Sequence, residues 1–289
     1  MKRFFVINII LTVMICFTHC QQSWVNPCLE NRKLTAFMRF KIGETDRFGE
    51  LAGSPYHYEI WVDRRGAEGA MLEWYGAGQG GGAAFRAEWI KPDCYLGRVG
   101  LFWDNGQHFS AYKNIYCDFN YIRSANGTAG RHSYVGIYGW ARNPSATDPK
   151  MRLIEYYIVD DWFGEAQLGI NDVTGWNPDN KDSIPDPSKS FGSFSVDDGI
   201  YNIYTAVRVK KPSIEGTQTF TQFFSIRQGM EQERRQCGTI SVSEHFKKWE
   251  ELGLELGNMY ETKYLVEAGG GTGWLDLSYL AFSQEEQQR

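Results

Sequence analysis

Leu153-Ile154-Glu155-Tyr156-Tyr157-Ile158-Val159 is the stretch on which the fold turns. Its β-branched and aromatic residues suit a pleated, buried surface. Successive side chains of a strand point to opposite faces, so Glu155 and Tyr157 share one side while Ile154, Tyr156 and Ile158 share the other. A lone strand glutamate ordinarily faces water. Set among aromatics, a carboxylate is costly to keep unless it has chemistry to perform.

The same arrangement recurs in Leu265-Val266-Glu267-Ala268-Gly269-Gly270. Two carboxyls facing one another across an aromatic groove meet the requirement of glycosidic bond cleavage. Period-two alternation continues through Tyr56 to Asp63, Phe85 to Trp89, Ser133 to Trp140, Tyr201 to Val209 and Thr219 to Ile226. Turn-rich pieces at Gly76 to Gly82, Ser124 to Gly130, Asn143 to Pro149 and Asn177 to Ser190 divide these runs. The pattern predicts an all-β protein, two curved antiparallel sheets packed as a jelly-roll sandwich.

One segment departs from it. Ser241-Val242-Ser243-Glu244 has the form of a capping box, followed at near-helical spacing by Phe246, Trp249, Leu252 and Leu256. A single helix on the back of one sheet is expected, ended by Gly253 and Gly257, with His245 as a packing residue. The polar end Gln284 to Arg289 reads as frayed, and Asn126-Gly127-Thr128 is an N-glycosylation sequon. No internal repeat or long linker divides residues 21–289, which read as one catalytic domain.

Residues 1–20 read as an export signal: Lys2 and Arg3, then fourteen mostly apolar residues from Phe4 to Phe17, then Thr18-His19-Cys20 before Gln21. The run is short of the roughly 20 apolar residues a spanning helix needs. A secreted protein with no membrane association is expected. The formal net charge of −5 becomes −7 without Lys2 and Arg3, which argues against nucleic acid as a partner and fits a neutral or cationic one. Thirty-one glycines and 15% aromatic residues suit short strands around an aromatic-lined groove. Cys28, Cys94, Cys117 and Cys237 remain after the leader, and four cysteines allow three pairings. Their wide spacing is poor for a zinc site, so neither metal nor cofactor is expected.

Six motifs resemble the family 11 glycoside hydrolases, the small endo-1,4-β-xylanases. Tyr138-Gly139-Trp140-Ala141-Arg142-Asn143-Pro144 and Ile154 to Val159 resemble the strands around the nucleophile, and Arg208 to Thr217 the thumb hairpin with its Pro-Ser-Ile tip. Phe220 to Gln228 is similar to the following strand, His245-Phe246 with Trp249 to the family helix, and Val266 to Gly269 to the acid/base strand. The resemblance implies a partly closed hand gripping xylan or xylo-oligosaccharides as a monomer. It makes Glu155 the nucleophile and Glu267 the general acid/base, with the raised pKa on Glu267. Tyr138 and Tyr157 would hydrogen-bond around the nucleophile, and Trp61 would stack on sugar. Tyr58, Tyr134, Arg208, Pro212, Ser213 and Gln222 complete the implied substrate contacts.

The sequence departs from the pattern where the family places Asn or Asp as partner of the acid/base. Counting back from Tyr95 puts Cys94 there, and Asp93 takes the place only with a one-residue slip, which reverses strand faces. Asp93 would favour an acidic optimum and Cys94 one nearer neutrality. Cys28 and Cys237 resemble a subgroup with a bridge from the N-terminus to the loop before the helix. Asp161 to Gly199 is longer than the usual connection, and Ser145 to Lys150 is a small insertion. A non-catalytic carbohydrate-binding jelly roll would have no reason to keep both glutamates in their motifs, and a β-1,4-glucanase is set apart by the thumb and the Glu-Tyr-Tyr string.

Overall fold

The computed structural model describes residues 28, 33–41, 47–63, 67–124, 132–163, 190–229 and 234–285. The leader, the sequon and most of the 161–199 connection lie outside them. Among the described residues the strands are β1 (Met38–Lys41), β2 (Arg47–Glu50), β3 (His57–Asp63), β4 (Gly69–Trp74), β5 (Phe85–Ile90), β6 (Cys94–Phe102), β7 (Asn114–Arg123), β8 (Ser133–Arg142) and β9 (Leu153–Asp161). They continue as β10 (Gly192–Val196), β11 (Gly199–Ser213), β12 (Gly216–Arg227), β13 (Cys237–Ile240), β14 (Asn258–Ala268) and β15 (Thr272–Glu285), with one helix, α1 (Val242–Glu251), after β13. Gln284 and Glu285, expected to fray, pair with Ile115 and Asn114 at the end of β15.

Six strands form one sheet in the order β1-β4-β5-β15-β7-β13, and nine form the other in the order β10-β11-β12-β9-β8-β14-β6-β3-β2. The facing sides bury a shared core, in which Trp74, Phe85 and Trp89 of the smaller sheet meet Ile137, Tyr156 and Tyr264 of the larger. The result is the expected jelly roll, with one parallel pairing in it: β12 runs alongside β9 with Gln222 opposite Glu155. The meander β10-β11-β12 starts at the sheet edge and returns inward, so its third strand reaches β9 pointing the same way. Strand β7 escapes the sequence pattern although Ile115, Cys117, Phe119 and Tyr121 alternate into the core, because aromatic Tyr116 on its other face lowers the contrast.

Helix α1 starts where expected, but the capping box does not form. Ser241 donates its hydroxyl and its backbone N–H to the two carboxylate oxygens of Asp197 at 2.6 and 2.7 Å, and Glu244 pairs with Lys247 instead. A carboxylate acceptor delivered from the β10–β11 turn outcompetes the local cap. The helix ends before Leu252, with Gly253 at φ +79° just beyond; Leu256 is buried outside it. Phe246 and Trp249 pack on Tyr156, and the Trp249 indole donates to the Ser225 hydroxyl at 2.9 Å. The back of the strand that carries Glu155 is thereby clamped. His245 is fully buried against Phe194 and Tyr201, and burial pushes its pKa down to about 3, which leaves a neutral packing residue.

Cys28 and Cys237 form a disulfide across 209 residues of sequence, tying the N-terminal segment to β13. Cys94 and Cys117 are not joined to each other.

Candidate active site

Register delivers the site to the outer face of the nine-stranded sheet. Trp61 stands opposite Leu96, Leu96 opposite Glu267, and Glu267 opposite Tyr134. A second rung runs from Trp140 to Glu155 to Gln222 to Ala206. Laterally paired residues share a face, so both glutamates look out on the side away from the main core. Around them Tyr134, Tyr138, Trp140, Tyr157, Phe224 and Leu265 form a second apolar cluster. Tyr134 packs on Tyr157 with ring centroids 4.9 Å apart, which bridges the strand of Glu267's neighbour and the strand of Glu155.

Glu155 is buried and receives three hydrogen bonds. Tyr138 and Tyr157 donate their hydroxyls to Oε1 at 2.7 and 3.1 Å, and the Gln222 amide donates to Oε2 at 2.6 Å. The Trp140 indole donates in turn to the Tyr138 oxygen at 2.5 Å, fixing that phenol. Burial raises the Glu155 pKa above the usual carboxylate range and the Glu267 charge adds to the rise. The bonds from Tyr138 and Gln222 and the nearby Arg208 cation oppose it. Burial and the adjoining carboxylates push Tyr134, Tyr138 and Tyr157 well above the ordinary phenol value, so all three remain protonated donors.

Glu267 is only 6% exposed and has a different environment. Its Oε1 lies 3.1 Å from Nε2 of His132 and 3.6 Å from the Cys94 thiol, while its Oε2 has no hydrogen-bond partner among the described residues. Of the two residues weighed as its neighbour, Cys94 is the one whose side chain lies against Glu267. It is two residues from Leu96, hence in phase with Glu267, whereas Asp93 stands one residue out of phase. His132 escaped the sequence reading because only the β8–β14 pairing brings it beside Glu267. Its ring lies against Gly269, where a Cβ would sit 2.4 Å from Nδ1.

A charged network in the same face was also missed. Arg98 pairs with Glu59 at 2.5 Å and Glu261 at 3.4 Å, and Lys263 pairs with Glu261 at 2.6 Å. Burial disfavours the Arg98 charge, yet Glu261 and Glu59 together more than offset this and hold its pKa above normal. Its guanidinium sits 4.3 Å from the centre of the Tyr138 ring. Sequence alternation could have placed Glu59 and Arg98 on the wet face; their mutual neutralisation needs the strand order.

The thumb is the β11–β12 hairpin, irregular between Arg208 and Lys211, and Gly216 at φ +82° closes its tip. Arg208 stands two residues from Ala206 and so on the face of Gln222 and Glu155. Pro212 is exposed opposite Thr217. Ser213, implied as a substrate contact, instead holds the turn: its hydroxyl donates to the Gly216 carbonyl at 2.6 Å and accepts from the Glu215 N–H. Glu215 at the tip is tethered to Arg142 of β8 at 2.6 Å. Gln222, implied as a sugar contact, holds the Glu155 carboxylate. Tyr58 is corrected outright. Its ring stacks 4.2 Å from Phe40 inside the sandwich, because position 58 alternates with Trp61 to the opposite face. Trp61 itself is half-buried on the outer face.

The chain matches the family model described as Glycosyl hydrolases family 11 over residues 54–278. It is 39% identical over 237 residues to endo-1,4-beta-xylanase C of Fibrobacter succinogenes, covering 82% of this chain and 33% of that protein. It is 36% identical over 220 residues to endo-1,4-beta-xylanase A of Bacillus pumilus, covering 76% of this chain and 78% of that one. The chain thus spans about a third of the length of the Fibrobacter protein and 57% of the length of the Neocallimastix patriciarum xylanase S20. The crystal structure of wild-type ENZbleach xylanase superposes with a TM-score of 0.81 at 47% identity, covering 93% of this chain and 95% of that one. With two sheets, a thumb and paired outer-face glutamates in the matched span, the chain belongs to glycosyl hydrolases family 11.

Proposed function

We propose that the protein is a secreted, monomeric endo-1,4-β-xylanase that cleaves internal bonds of xylan with retention of configuration. What supports it above all is the contrast between the two glutamates: Glu155 is held by three donors, whereas Glu267 keeps one buried oxygen without a partner among the described residues. Donors that fix a carboxylate in place suit a nucleophile, and a carboxyl oxygen with no protein partner suits proton exchange with substrate.

The ionised Glu155 attacks the anomeric carbon, and a glycosyl ester forms as the glycosidic C–O bond breaks. Glu267 gives its proton to the departing oxygen. As a carboxylate, Glu267 then takes a proton from water, whose oxygen displaces Glu155 from the same sugar carbon. Two displacements restore the original anomer, which requires carboxyls about 5–5.5 Å apart. Trp61 offers a ring for a sugar face, and the thumb carrying Pro212 closes over the chain. Among the described residues no helix is long and apolar enough to cross a membrane. Export rests on the leader composition alone.

Reducing-sugar release from xylan and from carboxymethyl cellulose tests the reading. Release from xylan alone is expected, and Glu155→Ala should abolish it while xylan binding persists. Release from cellulose alone, or a fully active Glu155→Ala variant, would contradict it.

A further inference from the structure

The Cys94, His132 and Glu267 side chains each offer one ligand atom, and these atoms lie within 4.8 Å of one another. They come from the start of β6, the residue before β8 and the end of β14, so no sequence spacing announces them. The Sγ to Nε2 distance is 3.5 Å, Sγ to Oε1 is 3.6 Å, and Nε2 to Oε1 is 3.1 Å. A tetrahedral zinc ion has bonds of about 2.3 Å to sulfur and about 2.0–2.1 Å to nitrogen or oxygen, so its ligand-to-ligand edges are about 3.3–3.6 Å. The three side chains thus already describe one face of such a tetrahedron, to within a few tenths of an ångström. Gly269 leaves room for the imidazole, since any Cβ there would collide with the ring. Glu267 is buried with Oε2 unpartnered among the described residues, while Cys94 and His132 are partly exposed, so that solvent can supply an ion and a fourth ligand.

We propose that Cys94, His132 and Glu267 form a binding site for a thiophilic divalent cation, zinc foremost, and that its occupation blocks hydrolysis. A thiolate–imidazole–carboxylate set selects zinc over calcium or magnesium, which take all-oxygen shells. Binding is a ligand substitution without redox change. The Cys94 thiol and any protonated Glu267 release their protons to solvent, and neutral His132 offers the Nε2 lone pair. With Oε1 bound to the metal, Glu267 is an anion that carries no proton for the leaving oxygen. The inhibition rests on the acid/base reading of Glu267; the binding does not.

Cobalt(II) reports the site directly, because a four-coordinate thiolate complex gives intense visible d–d bands and a near-ultraviolet sulfur-to-metal band. Titration of the dialysed enzyme should show these bands saturating at one cobalt per chain, with zinc displacing it. Cys94→Ser should remove the sulfur band, and His132→Asn should weaken binding about tenfold or more. Cys117, sealed in the core, cannot supply the band. Weak six-coordinate bands only, or a sulfur band that survives Cys94→Ser, would overturn the site. Zinc should also lower xylan hydrolysis by the wild type in a manner reversed by a chelator. Cobalt binding at the site without zinc inhibition would overturn the blockade. Whether Glu267 is the acid/base is read separately, from the metal-free rate of Glu267→Ala.

Discussion

The phenol of Tyr138 donates to Oε1 of Glu155 across 2.7 Å from the neighbouring strand, and the Trp140 indole holds that same phenol at 2.5 Å. The proposed nucleophile is thus positioned by a chain of donors that runs through β8. A hydrogen bond to a charged group is worth about 1.5–3 kcal/mol, or roughly 10–100-fold in rate. Tyr138→Phe should lower kcat on xylan by that range with a smaller change in KM. Steady-state kinetics on a soluble xylan check it; an unchanged kcat would remove Tyr138 from the machinery.

Glu155 also makes stability depend on pH. Its folded-state pKa is raised, chiefly by burial, so the folded protein holds the proton more tightly than the unfolded chain does. The stabilising contribution of neutral Glu155 is fully present below the ordinary carboxylate range and is lost as pH rises through the raised value. Glu155→Gln should therefore raise the melting temperature near pH 7, and the gain should shrink toward pH 4. Thermal unfolding at the two pH values reads this out; an equal gain at both would contradict the assigned cause.

Much of this was legible in the chain. Strand β9 announced its two faces because Ile154, Tyr156 and Ile158 alternate with Glu155 and Tyr157, and the structure packs the first set into the main core. What stayed hidden depends on which strands lie side by side. Nothing local says that β12 runs parallel to β9, yet that pairing puts Gln222 on Glu155. Nothing near Ser241 points to Asp197 as its acceptor, and nothing near Cys94 points to His132. Tyr58 was misplaced for a simpler reason: it and Trp61 cannot share a face of one strand.

The strand phase of β6 yields a third expectation. Cys94 contacts Glu267 while Asp93 is one residue out of phase. Asp93→Asn should leave the pH optimum for xylan hydrolysis where it is. A pH–rate profile decides, and a displaced optimum would show that Asp93 acts on the acid/base.

The thumb tip is tethered to β8 by the ion pair between Arg142 and Glu215, 2.6 Å apart. Exposed pairs of this kind contribute about 0–1 kcal/mol to stability, so the effect of its loss should be kinetic. Arg142→Ala should lower turnover of polymeric xylan severalfold and that of a small aryl xyloside much less, with Tm within about 2 °C of the wild type. Parallel loss on both substrates would contradict a role for the tether in thumb closure.

In the proposed mechanism Glu155 forms a covalent bond to the sugar. Inactivation with a 2-deoxy-2-fluoro xylobioside carrying a good leaving group, followed by proteolysis and mass spectrometry, tests it most directly. One sugar adduct per chain is expected, on the peptide that contains Glu155. An active enzyme that acquires no adduct, or one modified at Glu267 instead, would contradict it.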